Sequence, residues 1–416
     1  MNLGKIWKNQ SLWIVFCVYV LLALLATAQG LFAPVKTFVH GGMAYKDYNN
    51  YVIFKESFFH LLHGQDLYRY FPSDHWDLYK YSPTFALLFS FMSVLPDWLG
   101  LPTWLLLNAL VLFLGVALLP SEGRAVGEIT GSGGNAATRL VPPLSDQKKA
   151  LILLFCAPEM LLSLQNDQSN ALMAGLIILA LALAERSKYF LSAMCIVLSV
   201  YIKIYGGLAF ILYLFYPGKV RLAIYSLAWT ALLAILPLLV VDIHQLGFLY
   251  QSWYRLLMED RSASVGVSVE GILENWFHAA PHANAVTLVG LVVFLLPFAV
   301  SIQRYKEYAW RLLMLSSLLI WIVIFNHKAE SPTFVIAMSG IGLWYFGSIT
   351  PKKLDLLLLI AAFIGVTLSV SDAVPWDIRQ NIVQRYDLKA VAPLLIWCRI
   401  TLQAILPTVR SGSPIS

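Results

Sequence analysis

The chain has 416 residues, 59% of them hydrophobic and only 12% charged, with a mean hydropathy of +0.71. These proportions exclude an ordinary soluble enzyme and place the chain among integral membrane proteins, where the bilayer organises the fold. The net charge of +6 does not argue for a nucleic-acid partner, because the basic residues stand in twos and threes at the ends of apolar segments, a pattern that fits membrane orientation.

Lys5 and Lys8 precede an apolar run from Leu12 to about Ala33. Ala26-Thr27-Ala28 resembles a signal-peptidase site, but the run is longer than the apolar core of a usual leader, so a retained first transmembrane helix is the preferred reading over cleavage. The polar stretch 35–82 comes next. It opens with Tyr45-Lys46-Asp47-Tyr48-Asn49-Asn50-Tyr51, one carboxylate among tyrosines and asparagines beside a membrane boundary. Tyr51, Phe54, Phe58, Leu61 and Leu62 then recur at helical spacing among Lys55, Glu56 and His60, which predicts an amphipathic helix along the membrane surface.

Further apolar segments run at about 83–96, 101–119, 149–164, 170–184, 189–216, 221–241, 285–302, 311–325, 332–348, 354–370 and 391–407. Together they predict a single all-α polytopic membrane domain, 1–416, with about 11–13 transmembrane helices. Lys203 and Gly206-Gly207 interrupt 189–216, which predicts two shorter helices meeting at a break. The stretch 121–148, with Gly131, Gly133, Gly134 and Pro142-Pro143, reads as a flexible connection on the inside.

Short basic loops at Arg186-Ser187-Lys188, Lys219-Val220-Arg221, Arg304 to Arg311 and Lys352-Lys353 are placed inside, which puts 35–82, 242–284, 326–331 and 371–390 outside. All eight histidines fall in outside segments, so chemistry is expected on that face. Between the outside loop ending at 82 and the inside loop at 219 the number of crossings must be odd, and six helices would be even. Either one element of 83–119 is re-entrant or 189–216 crosses once.

No P-loop, GxSxG, HExxH or CxxC is present, and the four cysteines lie within apolar runs as packing residues. The absence of an Asp-x-Asp pair means that a sugar donor need not be a nucleotide sugar. Polar residues concentrate in four places: Asp47; Glu159 with the amide-rich turn Gln165 to Asn170; Lys203; and the turn Asn326-His327-Lys328-Ala329-Glu330-Ser331-Pro332. A lysine inside an apolar segment needs an anion, either Glu159 or the phosphate of a lipid substrate. Arg399 reads as a snorkelling or paired structural residue.

The order of Asp47, His63-Gly64-Gln65-Asp66-Leu67-Tyr68, Tyr81-Ser82-Pro83, Gln168-Ser169-Asn170 and Ile202-Lys203 resembles the pattern of glycosyltransferase family 87: an early Asp, G-x-x-x-Y, Y-x-P, G-Q-x-N and a lysine following an apolar helix. The resemblance runs over residues 10–335 in outline. Two positions depart from it. Asp167 stands where the family often has Gly, and only Asp47 stands where the GT-C superfamily often has two acids, which leaves a single general base in place of a metal pair.

The resemblance implies a GT-C bundle that moves a hexose, mannose being the best-known sugar of the family, from a polyprenyl-phosphate donor to a lipid- or glycan-linked acceptor hydroxyl with inversion. It implies Asp47 as general base, Lys203 and His327 on the departing phosphate, and Gln168, Asn170 and Tyr81 as hydrogen-bond donors, with Tyr48, Asn50 and Glu330 completing the substrate site. No metal and no cofactor is expected. The expected partners are the polyprenyl-phosphate sugar, a glycolipid or lipid-linked glycan acceptor and membrane lipids, at the outer face of a bacterial inner membrane. A transporter or lipid flippase, with Glu159, Lys203 and Arg399 lining its path, is the alternative; the sequence shows no duplicated halves in its favour. A lipid-linked polysaccharide polymerase or ligase is a second alternative, although such enzymes place their largest outside loop late in the chain.

Overall fold

A computed structural model of the chain describes residues 9–37, 42–121, 144–259, 265–279, 283–348 and 351–406. Lys5, Lys8 and most of the connection expected at 121–148 lie outside the described residues. The described residues are mainly helical, with one two-residue antiparallel ladder, Lys36–Thr37 against Ala44–Tyr45. Among them, five helices are long and apolar enough to cross a bilayer: Gln10–Phe32, Asp97–Ala117, Lys219–Leu239, Asn284–Lys306 and Leu388–Ile405. The protein is an all-α polytopic membrane protein. Outward-facing leucines such as Leu21 and Leu227 are then in contact with lipid, and their helices satisfy the backbone internally as hydrocarbon demands.

The described residues form two compact units. The first takes its described residues from Met1–Ser121, Ser145–Leu214 and Gly218–Ser264. It contains α1 (Gln10–Phe32), α2 (Asn49–Leu62), α3 (Pro83–Leu88), α4 (Ser90–Ser93), α5 (Asp97–Ala117), α6 (Asp146–Gln165) and α7 (Asn170–Ala184). Next along the chain are α8 (Tyr189–Ile202), a 3₁₀ helix (Ile204–Tyr213), α9 (Lys219–Ile235) and α10 (Ile243–Glu259). α5 packs on both α1 and α7, α7 on α8, and α8 on α9. The α5–α7 crossing is set by glycine: a Cβ at Gly115 would stand 2.7 Å from the Gly175 carbonyl oxygen, and one at Gly175 2.5 Å from the Leu112 nitrogen. Two small residues thus let the helix backbones touch, which substitutes for the hydrophobic drive that lipid does not provide.

The amphipathic helix expected after Asp47 forms as α2 and buries Tyr51, Phe54, Phe58 and Leu61, while Leu62 at its end is 43% exposed. The run 83–96 does not form a span. α3 and α4 have six and four residues, so their lengths of about 9 and 6 Å fall far short of about 30 Å of hydrocarbon. The break in 189–216 forms where Lys203 interrupts it: α8 stops at Ile202, Lys203 is extended (φ −140°, ψ 126°), and the chain resumes as the 3₁₀ helix. Among the described residues between 82 and 219, α5 is long and apolar enough to cross a bilayer, while α7, α8 and the 3₁₀ helix are shorter apolar helices.

The second unit takes its described residues from Glu122–Leu144, Phe215–Pro217 and Val265–Ser416. Its main helices are α11 (Val269–Phe277), α12 (Ala283–Ser301), α13 (Tyr308–Ile324), α14 (Phe334–Gly347), α15 (Lys353–Ala362) and α16 (Leu388–Ile405). α13 packs on α14 and α16, and α16 also packs on α12 and α15. Arg399 of α16 has the paired structural role open to it from sequence, its Nε lying 2.9 Å from Asp355 Oδ1 of α15.

Candidate active site

Where α8 ends, the side chain of Lys203 reaches the turn between α6 and α7. Its Nζ donates to Asn170 Oδ1 at 2.8 Å, and Asn170 Nδ2 donates to Gln168 Oε1 at 2.5 Å. Asn170 is fully buried at the first position of α7. A hydrogen bond between a charged group and a buried amide is worth about 1.5–3 kcal/mol, so this pair fixes the break as well as occupying it. The Lys203 ammonium also lies 5.8 Å from the Tyr81 ring centroid, and Ser169 Oγ is 3.4 Å from the Tyr81 hydroxyl.

The turn is braced from α5. Trp104 Nε1 donates to the Asp167 carbonyl at 2.8 Å, and the Leu172 N–H donates to Asn108 Oδ1 at 3.0 Å. Asp167 has φ 51°, in the left-handed region. That conformation is free for glycine and tolerated by aspartate, so the departure from the family pattern at this position is compatible with the turn a glycine would make.

The remaining motifs meet the same cluster through the backbone. Gly64 has φ 64°, a conformation suited to glycine, and four residues later the Tyr68 hydroxyl donates to the Tyr81 carbonyl at 3.0 Å. Ser82 caps α3 by accepting from the Phe85 N–H at 3.1 Å, while its hydroxyl donates to the Tyr201 carbonyl at 2.6 Å, two residues before Lys203. Tyr81 is held edge-on by Phe54 at 4.8 Å and stacked on Phe85 at 5.1 Å. Motifs separated by over a hundred residues are therefore joined by single hydrogen bonds.

Asp47 is half-buried in the turn before α2. Around it, the polar side chains of the opening segment diverge. The Tyr48 hydroxyl donates to Asp97 Oδ2 at 2.9 Å, alongside Lys46 Nζ at 2.6 Å, and Lys55 Nζ holds the other oxygen at 2.7 Å. Burial keeps the Tyr48 phenol above its ordinary pKa, so it serves as a donor. In the other direction, Asn50 Nδ2 donates to the Asn166 carbonyl at 2.8 Å, which ties the Asp47 segment to the amide turn.

The first unit thus brings Lys203, Asn170, Gln168 and Tyr81 into one cluster and secures the Asp47 segment to its edge. Tyr48 and Asn50 each make one of these bonds within the protein. Glu159 is buried within α6. His327 and Glu330 belong to the second unit, where the backbone carbonyls of His327 and Ala329 accept from the N–H groups of Gly266 and Val267, both at 2.8 Å. Sequence reasoning missed Asp97 and Trp104, and gave Ser82 no role of its own within Tyr81-Ser82-Pro83. Pro96-Asp97 and Ser82-Pro83 carry recognisable helix-start chemistry, an acid or a cap beside proline, but nothing local names their distant partners.

A scan of protein families matches glycosyltransferase family 87 over residues 79–325. The matched span contains Tyr81, Gln168, Asn170 and Lys203 and begins after Asp47. A search of curated proteins finds no match. Because the family match covers more than half of the chain and the motifs inside it converge on one part-buried cluster, this membrane protein belongs to glycosyltransferase family 87.

Proposed function

We propose that the protein transfers a hexose, mannose in the first instance, from a polyprenyl-phosphate donor to a hydroxyl of a lipid- or glycan-linked acceptor, at the outer face of a bacterial inner membrane. The observation that carries this reading is the Lys203–Asn170–Gln168–Tyr81 cluster at a helix break, with the Asp47 segment tied to it through Asn50. In a single inverting displacement the acceptor oxygen attacks the anomeric carbon. The bond from that carbon to the phosphate oxygen breaks, polyprenyl phosphate leaves with the electron pair, and the hydroxyl proton passes to the Asp47 carboxylate.

Lys203 supplies positive charge to the leaving phosphate. The amides and the Tyr81 hydroxyl supply hydrogen bonds that strengthen as charge develops. The polyprenyl tail lies among apolar helices, and Asp47 acts mainly by where it is held. The test uses detergent-purified protein, a panel of polyprenyl-phosphate sugars and a membrane lipid extract as acceptor. Wild type transfers label and a folded Asp47→Asn variant does not. Equal transfer by both removes Asp47 from the mechanism, and no transfer from any lipid-linked sugar in the presence of a proven acceptor overturns the donor class.

A further inference from the structure

On the side of the Asp47 segment that faces α5, the first unit has a cavity of about 380 Å³. This lies within the range of about 300–1,000 Å³ typical of small-molecule sites. Its wall includes Lys46 and Asn49, the residues one before and two after Asp47, together with the inner end of the ladder at Tyr45. Its charged lining comprises two cations, Lys46 and Lys55, and three carboxylates, Glu56, Asp74 and Asp97.

These charges are unequally engaged. Asp97 holds both lysines, and Asp74 Oδ2 lies 3.0 Å from His60 Nε2. The half-buried Glu56 carboxylate makes no hydrogen bond among the described residues. A wall with an excess of one carboxylate repels phosphate. A cavity lined by both a carboxylate and an aromatic residue, Glu56 and Tyr45, suits a neutral ligand that brings its own hydroxyl donors and an apolar ring face.

We infer that this cavity is the subsite for a neutral sugar ring of the acceptor, with Glu56 accepting hydrogen bonds from its hydroxyls. The inference rests on the reading of Asp47 as the base that faces the acceptor. Burial and the neighbouring Asp74 raise the Glu56 pKa, and a hydroxyl donor relieves that cost. Tyr45 is fixed for such a role, its hydroxyl donating to the Pro72 carbonyl at 2.6 Å and its ring edge-on to Trp76.

The experiment measures binding without turnover, so its outcome is separable from that of the Asp47→Asn transfer assay. Methyl hexosides and free mannobiose are titrated against the full-length protein in detergent by saturation-transfer difference NMR, with inorganic phosphate as the competing probe. Two variants attack the site by different physics: Glu56→Ala removes the acceptor oxygen, and Val52→Phe fills the cavity that Val52 lines. Thermal unfolding confirms that both are folded. The expected result is sugar binding by wild type, weakened about tenfold or more in Glu56→Ala, as loss of one hydrogen bond to a charged group predicts, and abolished in Val52→Phe. Unchanged binding in both variants, no sugar binding by wild type, or displacement of the sugar by phosphate would each overturn the assignment.

Discussion

Two polar turns between apolar helices, 165–170 in the first unit and 326–333 in the second, are similarly dense in amides and charges in the sequence, yet they fold to different ends. In the first, side chains bond to side chains: Lys203 to Asn170 and Asn170 to Gln168. In the second, several bonds secure backbone. The carbonyls of His327 and Ala329 accept from Gly266 and Val267, the Lys328 N–H is held by Asn326 Oδ1 at 3.0 Å, and Glu330 and Thr333 form a reciprocal cap. A link to a distant side chain, Lys389 Nζ donating to Ser331 Oγ at 2.7 Å, fastens the turn to α16. Polar density alone does not identify a site. A network of side chains bonded to one another across distant elements and bonds that hold backbone answer to different substitutions.

This contrast predicts that damage to the first turn appears in transfer and damage to the second in stability. The largest effect is expected from Lys203→Met, which should lower the rate of transfer by about 10²–10³-fold, as loss of one preorganised electrostatic donor does. Near-wild-type kcat in that variant would erase the distinction between the turns. Next comes Gly266→Ala, whose new Cβ would lie 2.6 Å from the Ala329 oxygen and 2.7 Å from the His327 oxygen. It should cost about 1–3 kcal/mol in unfolding experiments, with turnover per folded molecule retained.

Glu330→Ala should cost about 0.5–2 kcal/mol through its cap. A raised donor KM with an unchanged melting temperature would instead return Glu330 to the sugar. The smallest effect is a pH dependence. Burial raises the Asp387 carboxyl to about 6, although Asn275 donates to its Oδ2 at 2.8 Å. A group whose folded pKa is raised favours the fold below its unfolded value and loses that contribution as pH rises through its folded one. The melting temperature should therefore fall between about pH 4 and 6, and Asp387→Asn should flatten that slope.

Much of the fold was readable in the sequence because lipid imposes strong rules. The apolar runs, the α2 stripe and the break at Lys203 follow from periodicity and from the cost of a charge in hydrocarbon. The run 83–96 misled because apolar character does not measure helix length: Phe89 and Leu95-Pro96 interrupt it, and only six- and four-residue pieces form. Asp97 was invisible for a different reason. Its two lysines and tyrosine lie 42 to 51 residues upstream, and a lone acid after proline signals a helix start without revealing which cations will reach it. The bonds from Tyr48 to Asp97 and from Asn50 to the Asn166 carbonyl were invisible for the same reason, because tertiary placement decides them.

The break at Lys203 also determines where the chain tolerates insertion and deletion. An α-helix advances about 100° per residue, so one residue added within the fourteen of α8 would swing Lys203 roughly a quarter-turn from Asn170. The same addition in the 3₁₀ segment would leave Lys203 in place but turn the buried Ala209, Leu212 and Tyr213 by about 120°. Spacing upstream of the lysine is thus angular register for the cluster, while spacing just downstream is angular register for packing.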